Sequence, residues 1–78
     1  MTSLFAREVA LYTTALEVGA ATGVFGLTAS AHDVAHGLVA LEDGYGLHII
    51  SHNAALRPDR ARRLILAHAR AVTDCAEL

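Results

Sequence analysis

This chain of 78 residues has one cysteine, one proline, no tryptophan and no lysine. The lone Cys75 cannot form an internal disulfide, which excludes disulfide-stapled secreted scaffolds and favours a reducing, cytoplasmic setting. All six basic residues are arginine. Because the formal net charge is -2 and no long basic run occurs, we expect this chain not to bind nucleic acid unaided.

Long apolar runs are also missing. The longest charge-free run, residues 18–31, contains three glycines and is shorter than the roughly 20 residues that a membrane-spanning helix requires. Arg7 and Glu8 occupy the place where a signal peptide would have its apolar segment. The sequence therefore predicts neither a membrane segment nor an export signal.

The chain nevertheless has more apolar residues than a small domain can bury. Hydrophobic residues make up 54% of it and the mean hydropathy is +0.41. A single core in so short a chain seldom supplies more than about 3–5 kcal/mol. We expect the surplus to be covered by oligomerisation or by a further portion of a longer protein.

The spacing of apolar residues predicts an all-α fold, a single three-helix unit with helices at about 3–22, 30–52 and 58–75. Ser3 and Ser30 are the candidate N-caps of the first two helices.

The turns carry their own signals. Gly23 is a natural left-handed C-cap, and Phe25 and Leu27 should plug the core beneath the following loop. Pro58 suits the first position of the third helix, although Arg57 stands where Ser, Thr or Asp would usually cap it.

The second helix has two apolar stripes, which predicts that it is buried between two neighbours. One stripe is Val34, Leu38, Leu41, Tyr45 and Ile49; the other is Ala35, Val39, Ala40, Gly46, Leu47 and Ile50. Gly37, Gly44 and Gly46 suggest close approach of another helix. Asp43 falls within the second stripe, so we expect a buried carboxylate with a polar partner.

The third helix is amphipathic with one apolar seam. That seam comprises Leu64, Ile65, His68, Ala71, Val72 and Cys75.

Candidate chemistry is sparse. His32 and His36 share a helix face at the spacing of a metal-binding pair, but no third ligand is evident. His48 and His52 repeat that spacing near a helix end, which suits packing and capping.

Glu42 and the adjacent Asp43 point about 100° apart and do not form a catalytic dyad. We expect no enzyme activity, no metal and no cofactor; a zinc protein built on the first histidine pair is the remaining chemical alternative.

The pattern A-x-x-L-x-A-L-x-D-G-x-x-L runs from Ala35 to Leu47, and L-x-P-x-x-A-x-x-L follows it from Leu56 to Leu64. In this order the two patterns resemble the C-terminal domain of TetR-type transcriptional repressors, and most closely its BetI-like form. Gly23 and Phe25 resemble the Gly-x-Phe that closes the preceding helix in many such proteins.

The resemblance implies a ligand-binding and dimerisation fragment whose DNA-binding N-terminal domain lies outside this sequence. The second and third helices would form a four-helix bundle with a second subunit. The implied dimer interface is Gly44, Leu47, His48, Ile50, Ser51, Leu64, Ile65, His68, Ala71, Val72 and Cys75. Tyr12, Leu16, Leu41 and Tyr45 would line a pocket for a small-molecule effector. The alternative function is a stand-alone helical interaction module or partner subunit.

Overall fold

The chain folds as three α-helices. The computed structural model describes residues 3–52 and 56–78, and within these ranges it contains α1 (Leu4–Ala21), α2 (Ala31–Ile50) and α3 (Pro58–Thr73) and no strand. The all-α prediction is confirmed, and each helix boundary lies within two residues of the predicted one. None of the described helices is long and apolar enough to cross a bilayer.

Two of the helices begin at serine caps, as the sequence predicts. The Ser3 hydroxyl accepts a hydrogen bond from the Ala6 N–H at 3.0 Å, and the Ser30 hydroxyl accepts one from the Asp33 N–H at 3.1 Å. Each bond satisfies a backbone donor that the first turn of a helix leaves unpaired. The start of α3 has Pro58 at its first position, and Arg57 makes no side-chain capping bond.

A Schellman motif ends α1. Gly23 adopts a φ of +80°, its N–H donates to the carbonyl of Ala20, and the Val24 N–H donates to the carbonyl of Gly19. This pair of bonds satisfies the last carbonyls of the helix and requires the left-handed conformation that glycine adopts without strain. The predicted cap at Gly23 is confirmed.

The loop after this cap joins α1 to the distant end of α3. Gly26 and Thr28 donate backbone hydrogen bonds to the carbonyls of Thr73 and Val72, at 2.7 and 3.1 Å. Since the last carbonyls of a helix have no partner within it, the loop serves as a cap for α3. Phe25 packs against the core, as predicted.

The core lies along the first half of α2, which packs against both other helices, whereas α1 and α3 do not pack directly on each other in the described ranges. Its buried apolar cluster is Val9, Leu16, Val34, Ala35, Leu38 and Val39. The Cα atoms span 40 × 36 × 15 Å, so the molecule is a flat layer. Its radius of gyration is 13.4 Å, whereas a compact chain of this length would have about 11.5 Å.

The glycine prediction is wrong for contacts within the chain. A Cβ atom at Gly37, Gly44 or Gly46 would meet nothing within 4 Å. The close approach occurs instead at Gly19, where a Cβ would lie 2.1 Å from the Phe25 ring. At Gly19 it is therefore the bulky side chain of a loop residue, and not a neighbouring helix, that requires a glycine.

The predicted seam of α3 is only partly the face that packs. Ala61 and Thr73 are buried and Ile65, Ala69 and Val72 are half-buried. Leu64, His68 and Ala71 of the predicted seam are exposed. The face of α3 that packs on α2 is rotated by roughly a quarter turn from the predicted seam. This face includes small residues, which contribute little to an apolar pattern but allow α3 to approach α2.

Candidate functional site

An open apolar groove lies between α1 and α3, with α2 as its floor. Its volume is about 260 Å³, and we call it the Tyr12 groove. It is lined by Tyr12, Ala15, Leu16, Phe25, Leu38, Glu42, Ile65, Leu66, Ala69, Thr73 and Leu78. It exists because α1 and α3 both pack on α2 but not on each other.

One polar pair stands in this apolar lining. The Tyr12 hydroxyl donates a hydrogen bond to the Glu42 carboxylate, 2.9 Å from Oε1 and 3.2 Å from Oε2. Burial raises the pKa of Tyr12 above its usual 10.0, and the hydrogen bond to Glu42 and the negative charges of Glu42 and Glu8 raise it further. The phenol is therefore held neutral, as a donor to the carboxylate.

A second groove of about 380 Å³ adjoins the first where the end of α2 lies beside the start of α3. It is lined by Glu42, Tyr45, Gly46, Ile49, Pro58, Ala61, Arg62, Ile65 and Leu66. Glu42, Ile65 and Leu66 line both grooves. The Glu42 carboxylate is therefore at the boundary between them.

The four predicted pocket residues do not come together. Tyr12 and Leu16 line the Tyr12 groove, Tyr45 lines the second groove, and half-buried Leu41 lines neither. Leu16 is 6% exposed and belongs mainly to the core. Its role in ligand binding stays a prediction, as do those of the other three.

Sequence reasoning missed Glu42 as the polar member of the site. Glu42 follows Leu38 by four residues and precedes Tyr45 by three, so it lies on the first apolar stripe. A carboxylate on such a stripe signals a polar partner on the facing helix, and this signal could have identified it. The buried carboxylate was instead expected at Asp43, which is exposed, so that prediction is wrong.

The predicted dimer residues divide into two groups. Most are exposed, namely Gly44, Leu47, His48, Ile50, Ser51, Leu64, His68 and Ala71. Ile65, Val72 and Cys75 are half-buried. Ile65 lines both grooves and Val72 packs against the core, so these two are already used within the chain.

The histidine pair at the start of α2 packs beside α1. The rings of His32 and His36 are 6.5 Å apart between centroids, and the Phe5 ring contacts His36 edge-on at 5.0 Å. Among the described residues no three His, Cys, Asp or Glu side chains form a group that could hold a metal ion. His36 therefore contributes one edge contact to the packing of α1 on α2, and both histidines are otherwise exposed.

No protein-family model matches this sequence, and neither a curated protein nor a solved structure matches it.

Proposed function

We propose that this chain is the effector-binding and homodimerisation part of a TetR-like transcriptional repressor. The proposal is carried by the flat layer of helices, its apolar groove, and the exposed apolar side chains of Leu47, Ile50 and Leu64 on α2 and α3. The ordered sequence pattern from Ala35 to Leu64 supports the same function. DNA binding would belong to an N-terminal domain of a longer protein.

In the proposed dimer, the surface that meets the second copy would lie opposite the Tyr12 groove. Residues two positions apart on a helix point about 200° apart, which is nearly opposite. Leu64, His68 and Ala71 of α3 each lie two positions from a residue that lines the groove: Leu66, Leu66 and Ala69 respectively. We call the surface formed by Gly44, Leu47, Ser51, Leu64, His68 and Ala71 the outer face.

The outer face exposes large apolar side chains to water, which is unfavourable unless a partner covers them. Leu47 is 65% exposed and Leu64 is 39% exposed, and Ile50 beside them is 76% exposed. Gly44, whose Cβ position is open, would allow a second helix to approach closely. Pairing of α2 and α3 with their copies would form the proposed four-helix bundle.

The total exposed area supports a partner of standard size. The chain exposes 5414 Å², whereas a folded monomer of its mass would expose about 4,500 Å². The excess of roughly 900 Å² is close to the 800 Å² or so that each partner contributes to a standard protein interface. A second copy on the outer face would cover an area of this order.

The effector would bind in the two grooves. They are concave and mainly apolar, with few polar groups, as small-molecule sites are. Tyr12 and Leu16 would contact it in the first groove and Tyr45 in the second. Leu41 lines neither groove, and its contact with the effector stays a prediction.

Disulfide trapping tests the dimer surface. In a Cys75→Ser background, Leu47→Cys places a single thiol on the outer face, and Leu11→Cys places one on α1 at a similar exposure, 70%. We expect mild oxidation to give a covalent dimer at Leu47→Cys and little at Leu11→Cys. Equal, weak trapping at both positions would contradict the proposal and favour the stand-alone interaction module.

A further inference from the structure

We propose that the Tyr12 groove binds a protonated primary amine with a short apolar body, through Glu42 and Tyr12. This inference names the chemical class of the proposed effector and so rests on the proposed function. The residues that carry it are the Tyr12–Glu42 pair and the apolar side chains around it.

The charge of Glu42 has no counter-ion among the residues that the structure describes. Among the described residues no arginine or histidine forms an ion pair with it, and its side-chain partner is the neutral Tyr12 phenol. Arg62 lines the second groove together with Glu42 but lies beyond ion-pair distance. A carboxylate at the edge of an apolar groove favours a cationic ligand and repels an anionic one.

The hydrogen-bonding capacity of the pair specifies the kind of cation. The single donor of Tyr12 is used by Glu42, which leaves acceptor positions on the phenol oxygen and on both carboxylate oxygens. The complementary group must donate several hydrogen bonds. A primary ammonium has three N–H donors, whereas an alcohol has one and a quaternary ammonium has none.

The other side chains that line the groove determine the size and polarity of the rest of the ligand. Leu16, Phe25, Leu38, Leu66 and Ala69 surround the polar pair with apolar surface. The volume of about 260 Å³ is slightly below the roughly 300 Å³ of the smallest typical ligand sites. It suits a chain of a few carbons, and each methylene that enters the groove should improve affinity roughly fourfold.

Calorimetric titration with four probes of one length tests the proposal. The probes are hexylamine, 1-hexanol, hexanoate and hexyltrimethylammonium, at neutral pH, where an alkylamine is protonated. We expect hexylamine to bind at least about tenfold more tightly than each of the others, as one charge-assisted contact commonly provides. Circular dichroism before each titration verifies that every variant is folded.

Three variants test whether hexylamine binds at the Tyr12–Glu42 pair. Glu42→Gln keeps the shape of the side chain and should lose about tenfold or more in hexylamine affinity. Tyr12→Phe should lose less, because the carboxylate remains. Asp43→Asn removes the neighbouring exposed carboxylate and is the matched control, with affinity within about twofold of the original chain.

The outcomes separate this inference from the proposed function. Equal binding of 1-hexanol would overturn the amine class but leave the groove as an effector site. Equal binding of hexyltrimethylammonium would overturn the role of the N–H donors. The proposed amine site is wrong if no probe binds, or if Asp43→Asn weakens binding as much as Glu42→Gln. The dimer part of the proposed function is tested separately, by disulfide trapping at Leu47→Cys.

Discussion

The Tyr12 hydroxyl of α1 donates a hydrogen bond to the Glu42 carboxylate of α2, 2.9 Å from Oε1. The pair connects two helices that otherwise meet through apolar contacts, and it is the polar centre of the Tyr12 groove. Because the phenol must keep its proton to donate, the contact is lost at alkaline pH, when the phenol deprotonates.

The first prediction concerns this pH dependence. The pKa of Tyr12 is raised in the folded chain above the usual value of 10.0, so the folded state holds the phenol proton more tightly than the unfolded chain does. The resulting contribution to stability is fully present below pH 10 and is lost as the pH rises through the raised pKa. Urea unfolding across this range should show a steeper alkaline loss for the original chain than for Tyr12→Phe. Identical pH profiles would show that folding does not raise the pKa of Tyr12.

The second prediction concerns the glycine beneath Phe25. Gly19→Ala would place a Cβ 2.1 Å from the Phe25 ring and force the loop to move. We expect a loss of about 1–3 kcal/mol in the free energy of unfolding, which is typical of overpacking.

Gly46→Ala is its control, since a Cβ there meets nothing within 4 Å. Alanine in a helix interior should gain about 0.5–1 kcal/mol over glycine. Urea denaturation measures both changes. A loss at Gly46 similar to that at Gly19 would show that the two sites do not differ in packing.

The third prediction concerns the uncapped start of α3. Arg57 has the extended backbone of an N-cap but makes no side-chain capping bond, and its contact with Asp59, at 3.8 Å, is between exposed groups. Arg57→Ser should supply the missing acceptor and raise the free energy of unfolding by about 1 kcal/mol.

Ser30→Ala should have the opposite effect. It removes the hydroxyl that accepts the Asp33 N–H and should cost about 1 kcal/mol. Thermal unfolding of the two variants beside the original chain measures both. No change in either would mean that neither helix start limits stability.

Local features of the fold could be predicted from the sequence, and contacts between distant segments could not. The caps at Ser3, Ser30 and Gly23 depend on residues within one turn, so residue type and spacing identify them. The approach of Phe25 to Gly19 depends on the path of a loop, for which the apolar pattern has no signal.

In the candidate site, too, local features could be predicted and contacts between helices could not. The positions of Tyr12 and Leu16 on an apolar face were evident from their spacing. Their joint position with Glu42 depends on how α1 crosses α2, which is a property of the packed helices. Likewise, the packed face of α3 includes small residues such as Ala61, which contribute little to an apolar pattern although they are buried.

In the proposed dimer, a second copy of the chain covers the outer face. Sedimentation equilibrium at micromolar concentration tests it on the original chain, on Leu47→Asn and on Leu11→Asn, whose exposed leucine lies on α1. We predict that the original chain and Leu11→Asn sediment with twice the mass of 8.2 kDa and that Leu47→Asn shifts towards the monomer. A folded monomer for the original chain, or dissociation by Leu11→Asn and not by Leu47→Asn, would rule out a dimer formed through the outer face.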